Sequence, residues 1–252
     1  MTRRESDVAD EIIFSVADQI NHGIDDYSSA QSPELRTDLA KLYGMAGAKA
    51  VDRSDFVTAR SYLNTALSLL PTDHWKSHYD LSLRLYFLTA QSANSCGDVE
   101  KAQCTLQEIL SKCHSIDDKS PSYYLRAASK CQLTPHNVCF FYLTESPTPS
   151  FVSFIVQQAC NNGIEAYNTC CEALSQLGET VPQSLTPSET KDMIKTTSKI
   201  AECISETVLL GMKEMDEKLS ISFKFYTLMT DICFMSKKDM FPFAACRMVQ
   251  VS

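Results

Sequence analysis

The 252 residues carry 23 basic against 31 acidic side chains, a net charge of −8, and suffice for one extended helical array or at most two small domains, interrupted by only seven glycines and nine prolines. No basic run extends beyond Arg3-Arg4, which leaves no footprint for phosphate-backbone binding and removes nucleic acid from the expected partners. The N-terminal MTRRESDVADEII places acidic residues where a signal peptide needs its apolar core, and no stretch approaches the roughly 18 apolar residues of a membrane span, so the expectation is a soluble cytoplasmic chain with no membrane partner.

In chain order, the three-and-four spacing of apolar residues predicts a first helix over about residues 7–21, with Ile12, Ile13, Val16 and Ile20 on its buried face. Ser32-Pro33 supplies an N-cap and a first-turn proline for a helix through Ala50. The next helix lies in DFVTARSYLNTALSLLP, residues 55–71, where Phe56, Ala59, Tyr62, Leu63, Ala66, Leu67 and Leu70 form one stripe. Ala59 and Ala66 sit where Leu would bury more surface, forgoing roughly 2–5 kcal/mol each. Small residues there imply that another helix backbone approaches closely. Gly44-Met45-Ala46-Gly47 falls inside a helical period, so Gly47 reads as a second close-approach position and not as part of a nucleotide loop.

Thr72 or Asp73 is expected to cap a helix through Trp75, Tyr79, Leu83 and Tyr86; Gly97-Asp98 then turns the chain into an antiparallel partner over 99–113, with Asp98 as N-cap. Ala166, Cys170 and Ala173 mark a later helix stopped at Leu177-Gly178. Thr186-Pro187-Ser188-Glu189 is a capping-box sequence opening a long helix, with Ile194, Ile200, Ile204 and Val208 expected to be buried. A further helix covers about 215–235, and DMFPFAACRMVQVS starts one that the sequence does not finish.

These elements divide into N-terminal helical repeats (1–130), an irregular insertion (131–154) and C-terminal repeats (155–252). The insertion, CQLTPHNVCFFYLTESPTPSFVSF, holds three prolines and clustered aromatics without a sustained helical period. Ala59 and Ala102 lie 43 positions apart, Ala102 and Ala166 lie 64 apart, and the excess locates roughly 20–30 inserted residues relative to a repeat of about 34. A genuine loop, a strand-like hairpin and a translated intron carried over by a gene model all remain open, with the last favoured.

Tyr43, Gly47, Ala59, Ala66 and Pro71 match five of eight positions of a repeat pattern, W-x2-L-G-x2-Y followed by A-x3-F and a closing proline, so the segment resembles a tetratricopeptide repeat. Ala46 and Ala50 depart from the Leu and Tyr of that pattern, and Leu63 stands in for its Phe. Tyr86, Ala90 and Ala93 followed by Ala102, Leu106 and Ile109 make a second copy, and Ala166, Cys170 and Ala173 a poorer third, read as the second helix of its hairpin. The expected fold is all-α, antiparallel hairpins stacked as a tetratricopeptide-like solenoid, because one hairpin cannot cover its own apolar face.

Several longer stretches resemble the helical-repeat segment of multidomain signalling proteins that place an origin-recognition-like AAA ATPase before the repeats and sensor and histidine or serine-threonine kinase modules after them. The carrying residues are IIFSVADQINHG (12–23), LAKLYGMAGAKA (39–50), ARSYLNTALSLLPTDHWKSHYDLSLRLY (59–86), SIDDK (115–119) and IEAYNTCCEALSQLGETVP (164–182), with MDEKLSISFKFYTLM and FPFAACRMVQVS more loosely similar. The resemblance implies an all-α spacer and docking region without catalytic residues or cofactors, whose partners are the flanking ATPase and kinase or sensor domains. The sequence itself carries no G-x4-G-K-[ST] loop, no kinase catalytic-loop motif and no G-x-S-x-G turn. The alternative is a free-standing adaptor binding a peptide in its groove, to which Lys41, Lys49 and Arg53 would contribute.

Other chemistry finds weaker support. Eleven cysteines, Cys104, Cys113, Cys170 and Cys203 among them, read as reduced small hydrophobes; none shows paired C-x2-C spacing, and Cys131, His136 and Cys139 form only a loose trio, so no metal site is expected. His74 and His78 have the spacing of a zinc hydrolase helix, but Trp75 replaces the general-base Glu and no third ligand is in view. Cys170-Cys171 lie mid-helix, where one packs and the other is partly exposed, instead of forming a thiolate nucleophile.

Overall fold

The computed structural model describes residues 3–21, 32–131, 149–203 and 216–251. Among them every regular element is helical, and they form two compact units, Met1–Ser122 and Tyr123–Ser252.

The first unit contains α1 (Arg3–Asn21), α2 (Pro33–Asp52), α3 (Phe56–Leu69), the single turn α4 (His74–Ser77), α5 (Tyr79–Ser95), α6 (Val99–Lys112) and the start of α7 (Ile116–Cys131). Local signals set their ends. The Ser32 hydroxyl accepts from the Leu35 amide at 3.3 Å with Pro33 in the first turn, Asp55 caps α3 through the Thr58 amide at 3.1 Å, and Asp98 caps α6 through the Lys101 amide at 3.2 Å. Helix α2 pairs with α3, α5 pairs with α6, and α3 packs on α5, so the two hairpins are neighbours. Arg60 of α3 also pairs with Asp98 at 2.5 Å, tying the first hairpin to the cap of α6.

The turns inside the two hairpins repeat each other bond for bond. In the first, Arg53, Ser54 and Asp55 donate their amides to Lys49, Val51 and Ala50; in the second, Cys96, Gly97 and Asp98 donate to Ser92, Asn94 and Ala93. The middle residue is left-handed in each, with φ 60° at Ser54 and 79° at Gly97, which closes the helix by its last free carbonyls. The repeat length of 43 exceeds the roughly 34 of a tetratricopeptide unit because residues 70–78, including α4, are added between hairpins.

Close approach explains the small residues. A Cβ on Gly47 would lie 2.6 Å from Leu63 Cγ, and one on Gly44 would lie 2.7 Å from Leu85 Cδ2, so α2 meets α3 through one glycine and α5 through the other. Tyr43, Ala59, Leu63 and Ala66 are fully buried in the same core, as are Ala90, Ala102 and Leu106 in the second hairpin. Pro71 is only half-buried, just beyond the end of α3. In this core Tyr43 donates its hydroxyl to the Ala17 carbonyl at 3.3 Å and Tyr62 donates to Asp18 Oδ1 at 2.6 Å.

The second unit contains the rest of α7, then α8 (Pro149–Gln176), α9 (Pro187–Cys203), α10 (Glu217–Ser236), a 3-10 turn (Lys238–Met240) and α11 (Phe241–Val251). Helix α8 packs on α10, α10 on α11, and α11 on α9. Gly163 sits so close to α10 that an added Cβ would be 1.9 Å from Ser236 Oγ. The capping box at the start of α9 forms in both directions, Glu189 receiving the Thr186 amide at 2.8 Å and donating its own amide to the Thr186 hydroxyl at 3.3 Å. Glu179 accepts from Tyr226 at 2.9 Å and from Arg247, while Gln250 donates to Thr197 at 2.8 Å, so α11 is tied to its neighbours by polar bonds.

Five expectations are corrected. Ile12 and Val16 are exposed, because α1 turns Ala17 into the core with Ile13, Phe14 and Ile20 around it. Ile194 and Ile200 are exposed as well, since α9 buries Thr197 instead; Ile204 and Val208 lie outside the described residues. The helix expected through Trp75 and Tyr79 breaks at His78, and Asp73 makes no side-chain cap bond. Helix α8 begins at Pro149, inside the stretch expected to be irregular, with residues 132–148 outside the described ones. Finally, Leu177, Gly178 and Glu179 donate to Ala173, Ser175 and Leu174, the same turn as in the hairpins, with Gly178 at φ 89°. That register makes Tyr167 the counterpart of Tyr43 and Tyr86. Buried Ala166 and Ala173 therefore precede a turn of the kind that ends the first helix of each hairpin, although α9 starts only at Pro187 and packs on α11.

Candidate interaction groove

In α5, Asp80, Leu83, Arg84 and Phe87 follow the i, i+3, i+4, i+7 spacing that places them on one helical face. The start of α7 lies opposite, contributing Asp117, Asp118 and Pro121, and together the seven residues line a groove of about 340 Å³ within the first unit. Leu83 and Phe87 are half-buried, whereas Asp80, Arg84 and Asp117 are exposed.

Tyr79 sets the spacing of the two walls. Its hydroxyl donates to Asp118 Oδ2 at 2.8 Å and accepts from the His114 amide at 3.4 Å, bonding the base of α5 to the segment that leads into α7. Burial, with the neighbouring Cys113 and Asp118 side chains, raises the Tyr79 pKa and keeps the phenol a donor. The Ser115 hydroxyl accepts from the Asp118 amide at 3.1 Å, and Asp117 and Asp118 sit in the first turn of α7, where carboxylates complement the helix dipole.

An aromatic cluster supports α5. His74 stacks on Tyr86 with ring centroids 5.6 Å apart, Trp75 lies 4.9 Å from Tyr86 and 6.2 Å from Tyr79, and the Trp75 indole donates to Glu108 at 3.3 Å. The Tyr86 phenol is pushed up to about 12 by burial and by Glu108. His74 Nδ1 lies 2.9 Å from the Ser82 hydroxyl, which is 2.8 Å from the His78 carbonyl. Since the single hydroxyl proton goes to that carbonyl, His74 serves as the donor, and His78 sits at the helix break instead of one turn along a continuous helix.

Burial, reinforced by Lys112, lowers the His74 pKa against the opposing pull of Glu108 and Asp73. The folded state thus prefers neutral His74, a contribution complete above the ordinary histidine value near 6.5 and lost as pH falls through the lowered folded value. Stability followed by Trp75 fluorescence, the single tryptophan in the chain, is expected to fall as the pH is lowered through and below about 6.5 and to fall less in His74→Gln. Equal pH dependence in the two proteins would remove His74 as the cause.

Cys170 is buried and Cys171 half-buried, as their helical positions suggest, while Cys104 is exposed instead of acting as a core hydrophobe. Burial pushes the Cys113 and Cys171 thiols up, the opposite of what a thiolate nucleophile needs. Lys41 pairs with Asp38 at 2.9 Å, and the Arg53 guanidinium lies 5.1 Å from the centroid of the Phe14 ring. Among the described residues no three His, Cys, Asp or Glu side chains come together as metal ligands, and no helix is long and apolar enough to cross a membrane. His136, Cys139 and the side chains of Cys131 and Cys203 lie outside what is described.

Sequence reasoning singled out the small residues in the core and missed Asp80, Arg84, Phe87 and Pro121 in the groove. The available signal was the i, i+3, i+4, i+7 face of α5; nothing local says that SIDDK comes to face it. Comparison with protein-family models, curated proteins and solved structures finds no match.

Proposed function

We propose that the chain is a non-catalytic interaction and regulatory segment of a larger cytoplasmic ATPase-kinase signalling protein, with its hairpins stacked as a tetratricopeptide-like solenoid. The supporting observation is the duplicated hairpin: two turns bonded identically at an offset of 43, each between helices that bury small residues. The side chains best suited to chemistry, His74, Cys113 and Cys171, are occupied in packing or held neutral by burial. A role in docking follows, with the partners being the flanking ATPase and kinase or sensor domains.

Sequencing the full mature transcript tests this reading. The expected message continues in frame into a phosphate-cradling loop upstream and a kinase catalytic loop downstream; a message confined to these residues would leave the free-standing adaptor. The same read decides whether codons 131–154 survive splicing. In calorimetry the purified chain is expected to show no saturable ATP binding, and a binding isotherm would overturn the assignment of nucleotide chemistry to other domains.

A further inference from the structure

The geometry points to the α5–α7 groove as a docking site for a partner protein segment that presents a bulky apolar side chain flanked by Lys or Arg. This rests on the reading of the chain as an interaction segment, and it names the chemistry of the partner.

Leu83, Phe87 and Pro121 form an apolar floor, and about 340 Å³ lies at the lower end of the volumes that bind compact ligands. The space matches one or two inserted side chains. Three carboxylates, Asp80, Asp117 and Asp118, stand around it against one guanidinium, Arg84. Asp118 receives the Tyr79 hydroxyl, while Asp80, Asp117 and Arg84 form no ion pair among the described residues. The groove therefore offers uncompensated negative charge beside apolar surface, and the chain's net charge of −8 repels acidic partners at longer range. A segment with both apolar anchor and flanking cations satisfies both features; a purely apolar one would leave the carboxylates desolvated without partners.

The test is selection from a random peptide library on the full chain, followed by affinity measurement of the enriched peptides. The expected peptides combine Leu, Phe, Trp or Met with Lys or Arg, and their binding weakens as salt is raised. Asp80→Lys combined with Asp117→Lys, both at exposed positions, is expected to weaken binding at least about tenfold, whereas Arg84→Glu strengthens it. A loss of fold does not produce these opposite effects, and unchanged circular dichroism provides the control. Enrichment of acidic peptides, no enrichment, or affinities indifferent to all three substitutions would overturn the proposal. Sedimentation velocity supplies the remaining arm: a dimer that dissociates on the double charge reversal means that a second copy fills the groove, which also overturns it. The transcript result is independent of these outcomes, so failure of the groove and failure of the functional reading are distinguishable.

Discussion

Replacing Ala66 by Trp is expected to destabilise the first unit by about 1–3 kcal/mol, while the same replacement at Asn64 changes stability by no more than about 0.5 kcal/mol. Both residues lie on α3, but Ala66 is fully buried and Asn64 is exposed. Helix propensity contributes only about 0.5 kcal/mol to the difference, since Trp lies roughly that far below Ala and close to Asn, and the remainder reports packing. The α3 face that carries Ala66 belongs to the core shared with α2, and an indole cannot enter unless helices move apart. Urea denaturation followed by circular dichroism gives the two midpoints; equal midpoints would mean that no neighbouring helix covers Ala66.

Gly163→Ala is the corresponding change in the second unit. In an exposed helix it would stabilise by roughly 0.5–1 kcal/mol through lower backbone entropy in the unfolded chain. Here the new methyl meets Ser236 Oγ at 1.9 Å and Ser236 Cβ at 2.5 Å. Rotation of the hydroxyl removes the first clash but not the second, so α8 and α10 must separate, and overpacking of this kind costs about 1–3 kcal/mol. The expected outcome is a lower midpoint, recovered more fully by Ser236→Gly than by Ser236→Ala. A midpoint equal to or above that of the parent would show that the two helices do not approach as closely at Gly163.

The features legible in the sequence were those decided within a few residues. Ser32-Pro33, Gly97-Asp98 and the Thr186–Glu189 pair act locally and could be read without knowing the fold. The small residues were legible for a related reason: Gly47 and Ala59 give up burial, and only a close neighbour compensates for that. Periodicity alone could not decide which side of an amphipathic helix is covered. In α1 Ile12 and Val16 are exposed although each is as apolar as Ile13 or Ile20, which pack, and in α9 the chain buries Thr197 while leaving Ile194 and Ile200 in the open. The break at His78 is accompanied by the Ser82 hydroxyl donating to the His78 carbonyl at 2.8 Å, a contact that no local sequence pattern announces. The third copy was aligned with Ala59 and Ala102 because Ala-x3-Cys-x2-Ala fits either helix of a hairpin, whereas its terminal turn has the bonds of the turn that ends the first helix. Groove residues were hidden for a further reason, since Phe87 and Pro121 come from different helices and gain meaning only when Tyr79 joins their walls.

The central claim is that small residues mark the contacts that hold neighbouring helices together, and the meeting of Gly47 with Leu63 is its sharpest instance. The direct measurement is a double-mutant cycle of Gly47→Ala and Leu63→Ala, with stability read from Trp75 in the same unit. Leu63→Ala alone is expected to cost about 2–5 kcal/mol by leaving a cavity. Gly47→Ala alone forces a methyl to within 2.6–2.7 Å of the Leu63 isobutyl group. Together the added methyl fills part of the space that the leucine vacates, so the double variant should be more stable than the sum of the single losses by at least about 0.5 kcal/mol. Losses that add to within about 0.3 kcal/mol would contradict the contact, and with it the reading of these glycines and alanines as helix-packing positions.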